Sequence, residues 1–168
     1  MSGERRGGFV DASRLRVTYW GRGPVRLSAE PAPFEILEHT ADAGVLARGR
    51  TLAEAFGHAA QGMFSIMVNL DGVREVEQRS IAVAGHDWPS LLVAWLSELL
   101  YYSDVDGLLF KRFEMEDFRP YALRALAFGE RVDRQRHELG TGVKAVTRHM
   151  LEIEEGPEEC RVQVLLDI

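Results

Sequence analysis

The sequence is poor in the features on which disulfide scaffolds, zinc sites and membrane proteins depend. Its one cysteine, Cys160, excludes an intramolecular disulfide and a zinc site built from several cysteines of one chain. Cys160 follows a turn signal and precedes an apolar run, so we expect a small residue at the start of a strand. No stretch approaches the ~18 consecutive apolar residues of a membrane span, and residues 1–33 lack the apolar segment of a secretory signal. We therefore expect a cytoplasmic protein without a membrane partner.

The common catalytic motifs are also missing. The sequence contains no P-loop, no G-x-S-x-G nucleophile motif, no H-E-x-x-H zinc motif and no complete dinucleotide-binding fingerprint. Catalytic machinery of these familiar kinds is therefore absent.

The charge is distributed unevenly along a chain that otherwise has the composition of one globular domain. Of the 168 residues, 46% are apolar and 27% are charged. Residues 1–33 carry six basic and three acidic side chains among several glycines and prolines, which is typical of a flexible basic arm. The remaining residues, 34–168, carry 14 basic and 23 acidic side chains. Because such an acidic body repels phosphate backbones, it favours a metal ion or a basic partner over direct binding of nucleic acid.

The hydrophobic pattern of residues 34–168 predicts an α+β fold with two helices on one face of a mostly antiparallel or mixed β-sheet. A capping-box pattern starts the first helix at Thr51, and Asp87 followed by Pro89 starts the second. We expect the polar stretch 103–107 to be a solvated turn that ends the second helix. Alternating or apolar segments predict strands at 34–38, 43–47, 74–85, 108–118, 121–128, 148–153 and 161–166.

A polar cluster between the first two predicted strands and the acidic end of the chain are the candidate sites. If the final strand lies beside the first two strands, the carboxylates of Asp42 and Asp167 and an oxygen of Ile168 converge. Three hard oxygen ligands suit Ca²⁺ or Mg²⁺-like ions better than zinc. The alternative is structural, because Asp is a common turn residue and a terminal Asp is usually solvated. His39, likewise, is either a structural histidine or part of the site.

Four segments together resemble the archease family over residues 34–168. They are FEILEHTADAG at 34–44, TLAEAF at 51–56, VKAVTRH at 143–149 and the closing Asp-Ile pair. The family usually has Tyr where Arg148 stands and Ile where Ala43 stands, and both differences leave the acidic residues in place.

The resemblance implies a small protein cofactor of the RtcB-type RNA ligase in tRNA splicing and RNA repair, with no catalytic activity of its own. In that system the ligase, with its own Mn²⁺, attaches GMP from GTP to an active-site histidine. Archease promotes this activation and multiple turnover, so RNA is contacted only through the ligase. The implied ligands of a divalent cation (Ca²⁺, Mg²⁺ or Mn²⁺) are Asp42, Asp167 and Ile168, the last through its terminal or main-chain oxygen. Lys144 is implied at the partner surface, with His39 and Glu38 as positioning residues.

Two other functions are compatible with the sequence. One is a chaperone-like module that modulates other protein or nucleic-acid partners, for which the arginine-rich arm is the hint. The other is a metal-dependent phosphoesterase that uses Asp42 and Asp167, although the second ligand cluster typical of two-metal hydrolysis is missing from the sequence pattern.

Overall fold

The structure is a computed structural model that describes residues 32–38 and 41–168. Most of the predicted arm at 1–33 and the candidate residue His39 therefore lie outside the described residues. In chain order the described elements are β1 (Phe34–Glu38), β2 (Asp42–Gly49), α1 (Leu52–Met67), a short 3-10 helix (Leu70–Gly72), β3 (Glu77–Ala84), α2 (Trp88–Asp106), β4 (Leu108–Arg119), β5 (Ala122–Arg131), β6 (Ala145–Glu155) and β7 (Cys160–Asp167).

The strands form two antiparallel sheets that share one hydrophobic core. The first sheet has the strand order β1-β2-β7-β6, and the second has the order β3-β5-β4. Helix α1 packs against β2 and β7 of the first sheet and β4 of the second, whereas α2 packs against β6 and β3. The expected α+β class, with two helices packed against antiparallel strands, is confirmed. The sequence pattern suggested one sheet, and the structure divides the strands between two.

Helix α1 forms where apolar side chains recur with helical spacing behind a strong N-cap. The Thr51 hydroxyl accepts a hydrogen bond from the Glu54 amide at 3.1 Å, as the capping-box pattern predicts. The Glu54 carboxylate reaches back to the Arg50 amide at 2.7 Å, one residue before the cap. The helix ends at Met67, because Val68 adopts an extended backbone and pairs with Leu139. Its buried face is the part of the core against which the first sheet packs.

Helix α2 is longer than the sequence pattern suggested. Asp87 accepts from the Ser90 amide at 2.7 Å, and the Ser90 hydroxyl accepts in return from the Asp87 amide at 3.1 Å. The helix continues to Asp106 and stops at Gly107, whose positive φ of 66° gives the left-handed cap that glycine adopts at low cost. Residues 103–106 are thus the last helical turn, and the prediction of a solvated turn at 103–107 is wrong for them. The left-handed cap at Gly107, rather than the polar residues before it, ends the helix.

Neither described helix combines the length and the apolar character needed to cross a membrane.

Gly129 is the position in the second sheet that tolerates a side chain least. It lies on β5 opposite Phe110 of β4, and a Cβ built there comes within 1.9 Å of the Leu109 carbonyl oxygen. Because a backbone atom must move, we expect Gly129→Ala to lower the free energy of unfolding by roughly 2–3 kcal/mol. Gly72→Ala is the matched control, since a Cβ there meets no atom within 4 Å. Urea unfolding of both variants measures the effect, and equal midpoints would contradict the expectation.

Candidate cation and partner site

Four strand ends meet at one edge of the first sheet. Strand β1 ends at Glu38, β2 begins at Asp42, β7 ends at Asp167, and β6 begins at Ala145. Because all pairings in this sheet are antiparallel, the end of one strand lies beside the start of its neighbour. The sheet topology therefore gathers the described residues of the predicted site at one edge.

Asp42 and Asp167 are directly opposed across the β2 and β7 pair. Side chains of directly opposed residues project to the same face of a sheet, with Cβ atoms roughly 4.5–5.5 Å apart. Asp42 is half-buried and Asp167 is exposed. Opposed like charges destabilise a strand pair, so this arrangement favours a positive charge close to both carboxylates. The sequence analysis expected these two carboxylates to converge, and the strand register places them opposite one another.

Lys144 joins this edge through its main chain and its side chain. The Lys144 amide donates to the Asp167 carbonyl oxygen at 2.7 Å. Its ammonium donates to the main-chain oxygen of Ile168 at 3.1 Å. Lys144 therefore lies next to two of the three predicted ligands rather than at a distant surface.

The side chains of Asp42 and Asp167 offer carboxylate oxygens, the ligand type that hard divalent cations prefer. Within residues 32–38 and 41–168 there is no group of three His, Cys, Asp or Glu side chains placed to hold a metal ion. Among the described residues, the two opposed carboxylates are accompanied at this edge by the main-chain oxygen of Ile168, which accepts from Lys144. The Ile168 oxygen already attracts a cationic group, the Lys144 ammonium. A donor set made of oxygen alone suits Ca²⁺, Mg²⁺ or Mn²⁺. The described part of the chain contains no second group of metal ligands of the kind that two-metal hydrolysis uses.

Glu38 lies at the same edge but on a different face. Its register partner is Ala43, the neighbour of Asp42 on β2. Because successive residues of a strand alternate between faces, the Glu38 position faces away from the carboxylate pair. Glu38 is exposed, and its role as a positioning residue stays a prediction.

The start of β6 and an irregularity within it were not predictable from the sequence pattern. The strand begins at Ala145 rather than at Arg148, and Ala145 pairs with Asp167. Between Thr147 and Glu152, β6 contains more residues than the stretch of β7 that it pairs with, so β6 bulges there. Met150, within this bulge, has a positive φ of 55°. The bulge carries Arg148 toward Asp87 at the start of α2, 3.5 Å between Nη2 and Oδ2. Because a bulge interrupts the alternation of polar and apolar residues, periodicity alone does not reveal such a strand.

Cys160 is a buried residue at the start of β7, as the sequence pattern predicted. Burial raises the pKa of its thiol. The thiolate form is therefore disfavoured, and nucleophilic chemistry at this cysteine is not supported.

The Archease protein family model matches residues 34–168. The chain belongs to the archease family. Among its relatives, the protein archease of Methanosarcina mazei is 40% identical over 139 residues, which cover 80% of this chain and 95% of that protein. The protein archease of Saccharolobus solfataricus is 42% identical over 136 residues, covering 80% and 98%.

Two solved structures share the fold. Protein 1598 of Methanobacterium thermoautotrophicum, solved in solution, superimposes with a TM-score of 0.70 at 37% identity, covering 81% of this chain and 99% of that one. The crystal structure from Thermotoga maritima described as an archease and possible chaperone has a TM-score of 0.53 at 16% identity, covering 86% and 100%. At that identity the second likeness concerns the fold alone. The resemblance to archeases noted in the sequence is thus confirmed.

Proposed function

We propose that this archease-family chain is a cytoplasmic protein cofactor that binds a divalent cation and activates an RtcB-type RNA ligase. It promotes the guanylylation of the ligase and its multiple turnover, and it has no catalytic activity of its own. The observation that supports the proposal most directly is the register of Asp42 opposite Asp167. The nearby Ile168 oxygen and Lys144 complete a polar edge. A site of this kind, at the end of a sheet, is accessible to a large protein partner.

The residues of the edge have separate tasks in this proposal. Asp42 and Asp167 hold the cation between their opposed carboxylates, and Ile168 contributes its main-chain oxygen. When bound, the cation supplies a positive centre with coordination positions that oxygen atoms of a partner can fill. Lys144 presents a point charge beside this centre, whereas Glu38 lies on the opposite face of the sheet and contacts the cation neither directly nor through Asp42 in this proposal. The edge is therefore suited to contact the entrance of the ligase active site.

The charge of the body assists the encounter. Residues 34–168 have nine more acidic than basic side chains, whereas an enzyme that binds RNA presents basic surface. Opposite charges raise association rates at low ionic strength, and salt screens this gain over a Debye length of roughly 8–10 Å. The proposed encounter is therefore sensitive to salt.

The test is single-turnover transfer of GMP from labelled GTP to the cognate RtcB-type ligase, with and without this protein. We expect faster guanylylation in its presence and an association rate that falls as ionic strength rises. A folded chain that leaves a competent ligase unstimulated would contradict the activating role. An association rate insensitive to salt would contradict the electrostatic part alone.

A chaperone role is the second candidate, because the Thermotoga maritima neighbour is described as a possible chaperone. In that case the chain would suppress aggregation of proteins unrelated to the ligase. Light scattering of a heated test protein, with and without the chain, separates the two functions. Suppression that persists in an Asp42 variant, together with no effect on the ligase, would favour the chaperone.

A further inference from the structure

Lys144 and the predicted cation compete for the same oxygen atom. The Lys144 ammonium donates to the Ile168 main-chain oxygen at 3.1 Å. In the proposed function that same oxygen is a ligand of the cation held by Asp42 and Asp167, which are opposed in the strand register. We propose that Lys144 is a built-in competitor: its ammonium holds the Ile168 oxygen in the cation-free protein and leaves it when a divalent cation binds. This inference rests on the proposed cation site.

Electrostatics makes joint occupancy unfavourable. A divalent ion between the two carboxylates lies close to any group bound to the neighbouring Ile168 oxygen, and like charges at such separations repel one another. The Lys144 side chain is exposed, so its ammonium exchanges the contact with the Ile168 oxygen for contacts with water at little cost. Its main chain stays in place, because the Lys144 amide is bonded to the Asp167 carbonyl oxygen at 2.7 Å. After the exchange the ammonium therefore remains at the rim of the site, free to contact an anionic group of a partner.

The exchange discriminates between ions by their charge. A monovalent ion that replaces the ammonium at the Ile168 oxygen leaves the charge near Asp42 and Asp167 unchanged. A divalent ion raises that charge by one unit and binds both carboxylates as well. Displacement of the Lys144 ammonium is therefore compensated better by Ca²⁺ or Mg²⁺ than by Na⁺ or K⁺, because a divalent ion is attracted more strongly to the two carboxylates. It makes the cation-loaded protein chemically different from the empty one, because only the loaded form has a free ammonium.

The chain offers a closely matched control for the experiment. It contains two lysines, and the other one, Lys111, also donates to a main-chain oxygen, that of Val73 at 3.3 Å. We expect Lys144→Met to tighten Ca²⁺ binding by about 1.5-fold to fivefold in calorimetric titration, the range set by exposed ion contacts. Lys111→Met should leave the dissociation constant unchanged. Lys144→Arg, which keeps the charge, should restore weaker binding.

A spectroscopic readout follows the ammonium itself. Reductive methylation with ¹³C labels both lysines and keeps their charge, so two lysine signals appear in the NMR spectrum, each assigned with its Met variant. Addition of Ca²⁺ should shift the Lys144 signal and leave that of Lys111 in place. Unchanged or weaker Ca²⁺ binding in Lys144→Met, or a stationary Lys144 signal in a chain that binds Ca²⁺, would overturn the exchange and leave the cation site standing. Absence of Ca²⁺ binding in the parent chain would overturn both.

Discussion

Asp42→Asn should weaken Ca²⁺ binding by at least about a hundredfold and abolish stimulation of the ligase, because affinity for Ca²⁺ depends on the number of charged oxygen ligands. Asn keeps the size of the side chain, so the β2 and β7 pairing should survive. Asp167→Asn should have the same effect, since the two residues are opposed in the register. Calorimetric titration with Ca²⁺ and single-turnover guanylylation of the ligase measure the two losses.

Asp104→Asn is the matched control for these variants. Asp104 is an exposed acid in the last turn of α2 and is not part of the first sheet. Its replacement removes the same charge from the same acidic body, so a general electrostatic effect would appear in both variants. Stimulation retained by Asp42→Asn, in a chain whose circular dichroism matches the parent, would show that the carboxylate pair is not the activating site.

The parts of the fold set by local sequence were predictable. The Thr51 cap and the Asp87–Ser90 capping box depend on residues three apart, and the structure has both. The apolar spacing behind each cap predicts the buried face of the helix, because side chains three and four residues apart share that face. The end of α2 was not predictable in this way, since Ser103, Asp104 and Asp106 are polar and the Gly107 cap terminates the helix.

The parts of the site that depend on strand pairing were not predictable from pattern alone. Asp42 and Asp167 are 125 positions apart in the sequence, and their opposition depends on β7 lying beside β2. The resemblance to archeases indicated the pair. The hydrophobic pattern predicted it only if the final strand lies beside the first two. The contact of Lys144 with Ile168 depends in turn on the pairing of β6 with β7. The bulge after Thr147 interrupts the alternation of polar and apolar side chains in β6. The sequence pattern therefore did not predict that β6 begins at Ala145, next to Lys144, or that Lys144 contacts Ile168.

A buried polar network ties the loop after β5 to the segment before β3. Glu130 is 4% exposed and His137 is 5% exposed. The Glu130 carboxylate accepts from the Arg74 amide at 2.7 Å and is paired with the Arg136 guanidinium at 2.6 Å. His137 Nδ1 accepts from the Asp133 amide at 2.8 Å, so its proton is on Nε2 and is donated to Glu130 at 3.0 Å. The network satisfies a charge that would otherwise be costly to bury.

These contacts make the stability of the protein sensitive to acid. Burial alone raises the pKa of Glu130, but the hydrogen bonds from Arg136, Arg74 and His137 outweigh it and lower the pKa to about 2. In the unfolded chain this carboxyl titrates near 4.5. The folded pKa is the lower one, so the contribution of Glu130 to stability is fully present above about pH 4.5 and is lost as the pH falls toward 2. Over that range the unfolded chain binds more protons, and stability decreases with acid.

Glu130→Gln should lower the free energy of unfolding at pH 7 by about 3–5 kcal/mol, because it removes the charge that its buried partners require. The difference between parent and variant should stay constant above about pH 5 and shrink as the pH approaches 2, where the parent carboxyl begins to protonate. Urea unfolding of both chains across this pH range gives the difference directly. Glu138→Gln is the control, since Glu138 makes an exposed contact with Asn69 and its loss should cost no more than about 0.5 kcal/mol. A difference between parent and Glu130→Gln that persists unchanged to pH 2 would show that packing of the side chain, rather than its charge, stabilises the loop.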